Sequence, residues 1–328
     1  MNRHLAPLVV LFTVAVALNL LTNEAAADTT VQLNIAGNHT VTGANSPPLP
    51  GSSNPFWSGP STLPAGDAHH LRLLYDRLAS AQPEAVSLNE VCISQAVNII
   101  YFLEWVAPNQ YHSHFNNAFP GGGAPPACNY AAGGATWTGF GNLIITRSNY
   151  EPWVAGGTLF GAPVTGPGEI KTWACVDGGT PSARFTACTS HFWPKNISSG
   201  YACSAMSWTR DNLMNPFFSR HSNLAMLGDF YLTRAPNPTP GVDGTINGCT
   251  PPGLLSWWKS NFAANGNSDN SRTLGTTDAQ VDHIIIDGLH SYSGSARYTH
   301  YVLSCPPGTS FEQCNLTDHR LVYANPNV

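Results

Sequence analysis

Carboxylates, amides and imidazoles recur at the ends of apolar runs in this chain. The segments are Leu33-Asn34, Asn89-Glu90, Ser190-His191, Gly228-Asp229-Phe230, Val281-Asp282-His283 and Thr317-Asp318-His319. Together they are the parts needed to hydrolyse a phosphodiester with a divalent cation. An amide and carboxylates can hold a hard cation through oxygen. A histidine beside a carboxylate can activate water, and a further donor can meet charge developing on phosphate.

Each piece also has a plainer reading. Asp318-His319 can turn one side chain to a metal and the other to a water, or Asp318 can cap a turn. Asp282 opens the run Ile284-Ile285-Ile286, where it either fixes the tautomer of a neighbouring imidazole or simply starts a strand. Asp229 follows Leu224-Ala225-Met226-Leu227 and Glu90 follows Val86-Ser87-Leu88, both at the expected C-terminal ends of strands. Ligand sites gather at such ends in α/β folds. Asn34 is either an oxygen ligand for Mg²⁺ beside Glu90 or a hydrogen-bonded core amide. His191 can donate to a phosphoryl oxygen, and Arg147, after Leu143-Ile144-Ile145-Thr146, can grip phosphate through its planar fork or lie on the surface. No acidic partner for His191 is legible.

The elements that must position these groups are mostly strands. Beta-like runs span 30–36, 85–88, 142–146, 169–176, 184–191, 224–227, 282–286 and 298–303. Several are continuously apolar, as strands buried on both faces are. Helical periodicity covers 67–80 through Leu71, Leu74, Tyr75 and Leu78, and further helices are expected over 204–218 and 254–263. Segments 119–141 and 235–252, crowded with Gly, Pro, Ala or Asn, read as loops, and His112-Ser113-His114 as a solvated one. Strands alternating with helices imply a layered α/β or α+β domain.

The first residues read as a secretory signal. Met1-Asn2-Arg3-His4 is followed by an apolar stretch from Leu8 to Leu21 and by Ala25-Ala26-Ala27. The expected organisation is a signal peptide over 1–27 and one catalytic domain over 28–328, exported to the extracellular space or periplasm without stable membrane insertion. Eight cysteines without a Cys-x-x-Cys pair favour disulfides. Cys175 with Cys188 would staple a hairpin and Cys305 with Cys314 a short loop, leaving Cys92 with Cys128 and Cys203 with Cys249.

Composition narrows the function classes. Hydrophobic residues make up 42% of the 328-residue chain, enough for a sizeable core, and 14 Lys+Arg stand against 19 Asp+Glu. That balance lacks the broad basic footprint of a tight nucleic-acid binder, though a nuclease needs only a local phosphate site. There is no Gly-x-Ser-x-Gly elbow, His-Glu-x-x-His or P-loop, which argues against serine hydrolases, zinc proteases and nucleotide triphosphatases.

The ordered set resembles the endonuclease/exonuclease/phosphatase superfamily, which includes pancreatic-type deoxyribonucleases and bacterial sphingomyelinases. The matching residues are Asn34, Asn89-Glu90, Gly141-Asn142 with Arg147, Thr189-Ser190-His191, Gly228-Asp229-Phe230, Asp282 and Asp318-His319, and they span nearly the whole chain after residue 27. The resemblance implies a four-layer sandwich of two packed mixed β-sheets flanked by helices, with the site at one edge. It implies a phosphoesterase dependent on Mg²⁺, or on Mn²⁺ or Ca²⁺, held by Asn34, Glu90 and Asp318. The catalytic set would be His191, Asp229, Asp282 and His319, with Arg147 and Tyr231 binding substrate. The family's Gly-Asp-Phe-Asn reads Gly228-Asp229-Phe230-Tyr231 here. Tyr231 offers one hydroxyl where an amide offers donor and acceptor, so it substitutes in part, reshapes the pocket or marks lost activity.

The expected function is a secreted, monomeric phosphodiesterase cleaving DNA or RNA. The alternatives are a sphingomyelinase-like hydrolase of phospholipid or phosphomonoester, and a non-catalytic binder of phosphate-bearing ligands.

Overall fold

A computed structural model describes residues 30–35, 72–119, 128–132, 135–159, 170–192, 208–216, 224–230, 262–264, 282–287 and 322–324. The leader, Tyr231, Asp318, His319, the strand expected over 298–303, the loop over 235–252 and the cysteine pairs 203/249 and 305/314 lie outside them.

Side-chain parity explains how the strands stack. The first sheet has the order β13-β1-β2-β6-β3, built from Val322–Ala324, Thr30–Asn34, Ala85–Cys92, Phe140–Arg147 and Tyr111–Asn117. The second has the order β11-β12-β10-β9-β8-β7, built from Phe262–Ala264, Asp282–Asp287, Leu224–Asp229, Ala183–His191, Thr172–Thr180 and Val154–Thr158. Val31, Leu33, Val86, Leu88, Leu143 and Ile145 share one face of the first sheet, where they pack with helices α1 (Arg72–Ala81) and α2 (Ile93–Val106). Leu74, Leu78, Ile99, Phe102 and Leu103 are the helical side of that core. Each such fully buried side chain contributes roughly 2 kcal/mol.

The opposite parity faces the second sheet. Ala85 and Ile144 pack there against Ala174, Val176, Ala187, Ala225, Leu227 and Ile284. Four of these eight residues are alanines. Beyond the second sheet, Trp208 meets Trp173 at 6.4 Å between ring centroids, bringing the helical residues 208–216 to its outer side. The result is two mixed sheets in a sandwich with helices outside, the architecture the sequence implies.

Several local expectations are corrected. The segment 119–141 is not all loop: Asn129–Ala132 (β4) and Ala135–Thr138 (β5) pair as a hairpin, and β6 starts at Phe140. His112-Ser113-His114 lies within β3 rather than in a loop. Phe262 and Ala263, expected to end a helix, pair with β12 as a strand instead. Helix α2 escapes periodicity because Ala96, Val97, Ile99, Ile100, Phe102, Leu103 and Val106 leave few polar positions to mark a face. It starts directly after β2, where Gln95 Oε1 accepts from the Cys92 amide at 3.0 Å.

Two disulfides fall where expected. Cys92 joins Cys128, and Cys175 joins Cys188 directly across the β8–β9 hairpin. Among the described residues, no helix is long and apolar enough to cross a membrane.

Candidate active site

The inner faces of the two sheets are apolar in the middle and polar at one end. Following each strand outward, Ala85 gives way to Ser87 and Asn89, Ile144 to Asn142, Ala187 to Thr189 and His191, and Ala225 and Leu227 to Asp229. Strands β1 and β2 run parallel, as do β9 and β10, so their C-terminal ends deliver Asn34, Glu90, His191 and Asp229 to the same edge. Register finishes the placement: Asn34 is opposite Asn89, and Asp229 lies between His191 and Asp282 on its neighbours.

These groups touch. Asn34 Nδ2 donates to Asp229 Oδ2 at 3.0 Å and to Glu90 Oε1 at 3.2 Å. His191 Nε2 lies 3.7 Å from each of the same two carboxylate oxygens. The carboxylates Glu90 and Asp229 are therefore the acidic neighbours of His191 that the sequence did not disclose. Glu90 is the most open member, with 20% of its side chain exposed, whereas the Asp229 side chain is wholly buried.

Backbone geometry aims Glu90. The β2–β6 register shifts between Leu88 and Val91, and Glu90 has φ +54°. A bulge of this kind re-aims a side chain, and a non-glycine residue at positive φ is uncommon. Both Asn89 and Glu90 thereby serve the site, although strand alternation would send them to opposite faces. Gly228 has φ +152°, and a Cβ there would lie 2.1 Å from the Ser190 carbonyl oxygen. Only glycine lets β10 approach β9 at the residue before Asp229.

A buried polar network supports the cluster. Asn89 Oδ1 accepts from Gln32 Nε2 at 2.8 Å and from the Asp229 amide at 2.9 Å. Asn89 Nδ2 donates to Asn142 Oδ1 at 2.8 Å and to Thr189 Oγ1 at 3.1 Å. Asn142 donates on to the Thr172 carbonyl and hydroxyl at 2.9 and 3.0 Å. Ser87 bonds Gln32, and its hydroxyl lies 2.7 Å from that of Thr189. Gln32 Nε2 also donates to Asp282 Oδ1 at 3.2 Å, drawing the buried Asp282 into the same system. Thr189 belongs to the Thr189-Ser190-His191 motif, but Gln32, Ser87 and Thr172 carry no chemistry-bearing signature in sequence.

Arg147 does not join the cluster. It sits at the far end of β6, where Nε and Nη2 donate to Gln110 Oε1 at 2.8 and 2.6 Å. Five residues separate it from Asn142, roughly 17 Å along a strand. His283 is also removed from the chemistry: it is buried and stacked 6.0 Å from the Phe230 ring.

A divalent cation fits the chemistry of this donor set. Glu90 and Asp229 bring two carboxylates to one amide and one imidazole, a set of hard oxygen donors on the side of the ring away from Lys171. Among the described residues there is no group of three His, Cys, Asp or Glu arranged as a cage. A small hard cation that keeps several waters requires only one or two carboxylates. The Glu90 carboxylate and the Asn34 carbonyl oxygen are the groups that would hold it.

The fold is a two-sheet α/β sandwich similar to that of solved structures of endonuclease/exonuclease/phosphatase proteins. An endonuclease/exonuclease/phosphatase family protein from Leptotrichia buccalis superposes with TM-score 0.57 at 9% identity, covering 92% of this chain and 100% of that one. The human Nocturnin catalytic domain with bound sulfate gives TM-score 0.52 at 13% identity, covering 90% and 92%. TDP2 from D. rerio, complexed with single-strand DNA product, gives 0.50 at 12% identity, covering 92% and 99%. No family profile and no curated protein matches the sequence. The similarity is therefore one of fold.

Proposed function

We propose that this chain is a metal-dependent phosphoric ester hydrolase whose substrate is a nucleic-acid phosphodiester. One observation carries the reading: Asn34, Glu90, His191 and Asp229, drawn from four strands of two sheets, converge within 3.0–3.7 Å at a single edge. The DNA product bound to the D. rerio neighbour supports nucleic acid as the substrate class.

In this reading Asn34 and Glu90, with Asp318, would hold Mg²⁺, or Mn²⁺ or Ca²⁺ in its place, and the bound cation would supply positive charge to the phosphoryl oxygens. His191 donates a hydrogen bond to the phosphoryl group, and Asp229 orients the attacking water. His319, steadied by Asp282, takes the proton from that water. Tyr231 contributes to substrate binding. Residues 28–328 form the catalytic domain, exported as a monomer behind the signal segment 1–27.

Plasmid nicking by the purified mature protein tests this directly, with Mg²⁺, with a chelator, and with His319→Ala. The expected result is nicking that requires the cation and is lost in the variant. Full nicking by His319→Ala would overturn the assignment of the base. No nicking by folded protein would remove nucleic acid as the substrate and leave lipid or small phosphoesters.

A further inference from the structure

The His191 imidazole has two different neighbourhoods. Its Nε2 faces the Glu90 and Asp229 carboxylates, while its Nδ1 lies 3.3 Å from Lys171 Nζ. Lys171 immediately precedes β8 and is buried, with 4% of its surface exposed. Its carbonyl accepts from the Leu159 amide at 2.8 Å, which fixes the backbone from which the side chain reaches the ring.

An ammonium group has three donors and no acceptor. Opposite it, Nδ1 must present its lone pair, so the ring proton resides on Nε2. We propose that Lys171 is a positioning residue for His191: it fixes the Nε2–H tautomer and points that donor into the space beside Glu90 and Asp229. A carboxylate behind the ring would do the opposite, accepting from Nδ1–H and leaving Nε2 as an acceptor. Lys171 therefore makes His191 a hydrogen-bond donor to the substrate and excludes it as the base that takes a proton from water. The catalytic consequence rests on the hydrolase reading above; the tautomer does not.

The tautomer is read from long-range ¹H–¹⁵N spectra of the mature chain with ¹⁵N-labelled histidine, His191→Ala assigning the signals. Wild-type protein is expected to show the Nε2–H pattern at residue 191, and an Nδ1–H pattern would overturn the proposal without any variant. Lys171→Met is expected to give mixed tautomers; an unchanged Nε2–H pattern in that variant would overturn the role. In Mg²⁺-dependent hydrolysis of bis(p-nitrophenyl) phosphate, Lys171→Met should lower kcat about ten- to hundredfold, the range for partners that orient an active imidazole. Lys171→Arg, also donor-only, should retain most activity. In a His191→Ala background, Lys171→Met should cost nothing further, because both changes remove one unit. Losses that multiply would place Lys171 outside that unit and overturn the proposal. An inactive wild-type chain would overturn the hydrolase reading, while the spectra would still decide Lys171.

Discussion

Asn89 joins four strands of this site through one side chain. Its amide meets groups from β1, β6, β9 and β10, and one of them is the backbone amide of Asp229. Its own peptide leads into Glu90, held at positive φ. Asn89→Ala would leave several buried polar groups unpaired, each at a cost of about 1–3 kcal/mol. We expect a loss of about 3 kcal/mol in denaturant unfolding, together with loss of turnover because Glu90 and Asp229 both shift. A variant with wild-type stability would show that water replaces the amide and that the network does not tie the sheets. The sequence displays Asn89-Glu90 as a motif, yet the two residues act differently: one joins the sheets and the other carries the partly exposed carboxylate of the cluster.

At the scale of elements, the β9–β10 pair sets how closely His191 and Asp229 can lie. Their parallel register requires the close approach at Gly228, where a methyl group would strike the Ser190 carbonyl oxygen. Gly228→Ala is expected to destabilise the protein by about 3 kcal/mol, from overpacking and backbone strain together. A thermal melt unchanged from wild type would mean that β10 shifts at little cost. Strands of this kind were legible because their apolar runs end in polar residues. Helix α2 was not, since an apolar surface on nearly all sides has no periodicity to detect. The β4–β5 hairpin was hidden by its small residues, and β11 by aromatic neighbours that suit a helix equally well.

For the molecule as a whole, the sheets also meet through their edge strands. Asn116 Nδ2 on β3 donates to the carbonyls of Gly157 and Trp173 at 2.9 and 2.7 Å. His114, on the same strand face, sits so close to Gly156 that a Cβ there would meet its Nε2 at 2.5 Å. Burial lowers the His114 pKa from 6.5. The unfolded chain therefore binds a proton more readily than the folded one, and stability rises with pH through this range. The His114 contribution is complete above 6.5 and erodes as pH falls from there toward the lowered folded value. Urea unfolding of wild type and His114→Gln across pH 5 to 7.5 should show a shallower acid-side loss in the variant. Parallel curves would remove His114 as the cause.

Sequence alone determined what kinds of group this protein brings to its site. Residue type and strand-end position are local properties, so Asn34, Glu90, His191, Asp229 and Asp282 could be named along with the cysteine pair of the β8–β9 hairpin. Tertiary structure decided which of them meet. Arg147 ends an apolar strand just as Glu90 does, but β6 runs antiparallel to β2 and carries it to the other end of the sheet. Lys171 belongs to no motif, and only the packing of the β8 start beside the β9 end brings its ammonium group to His191. Pairing direction and register are long-range choices made by the whole core, and they convert a list of polar residues into one site.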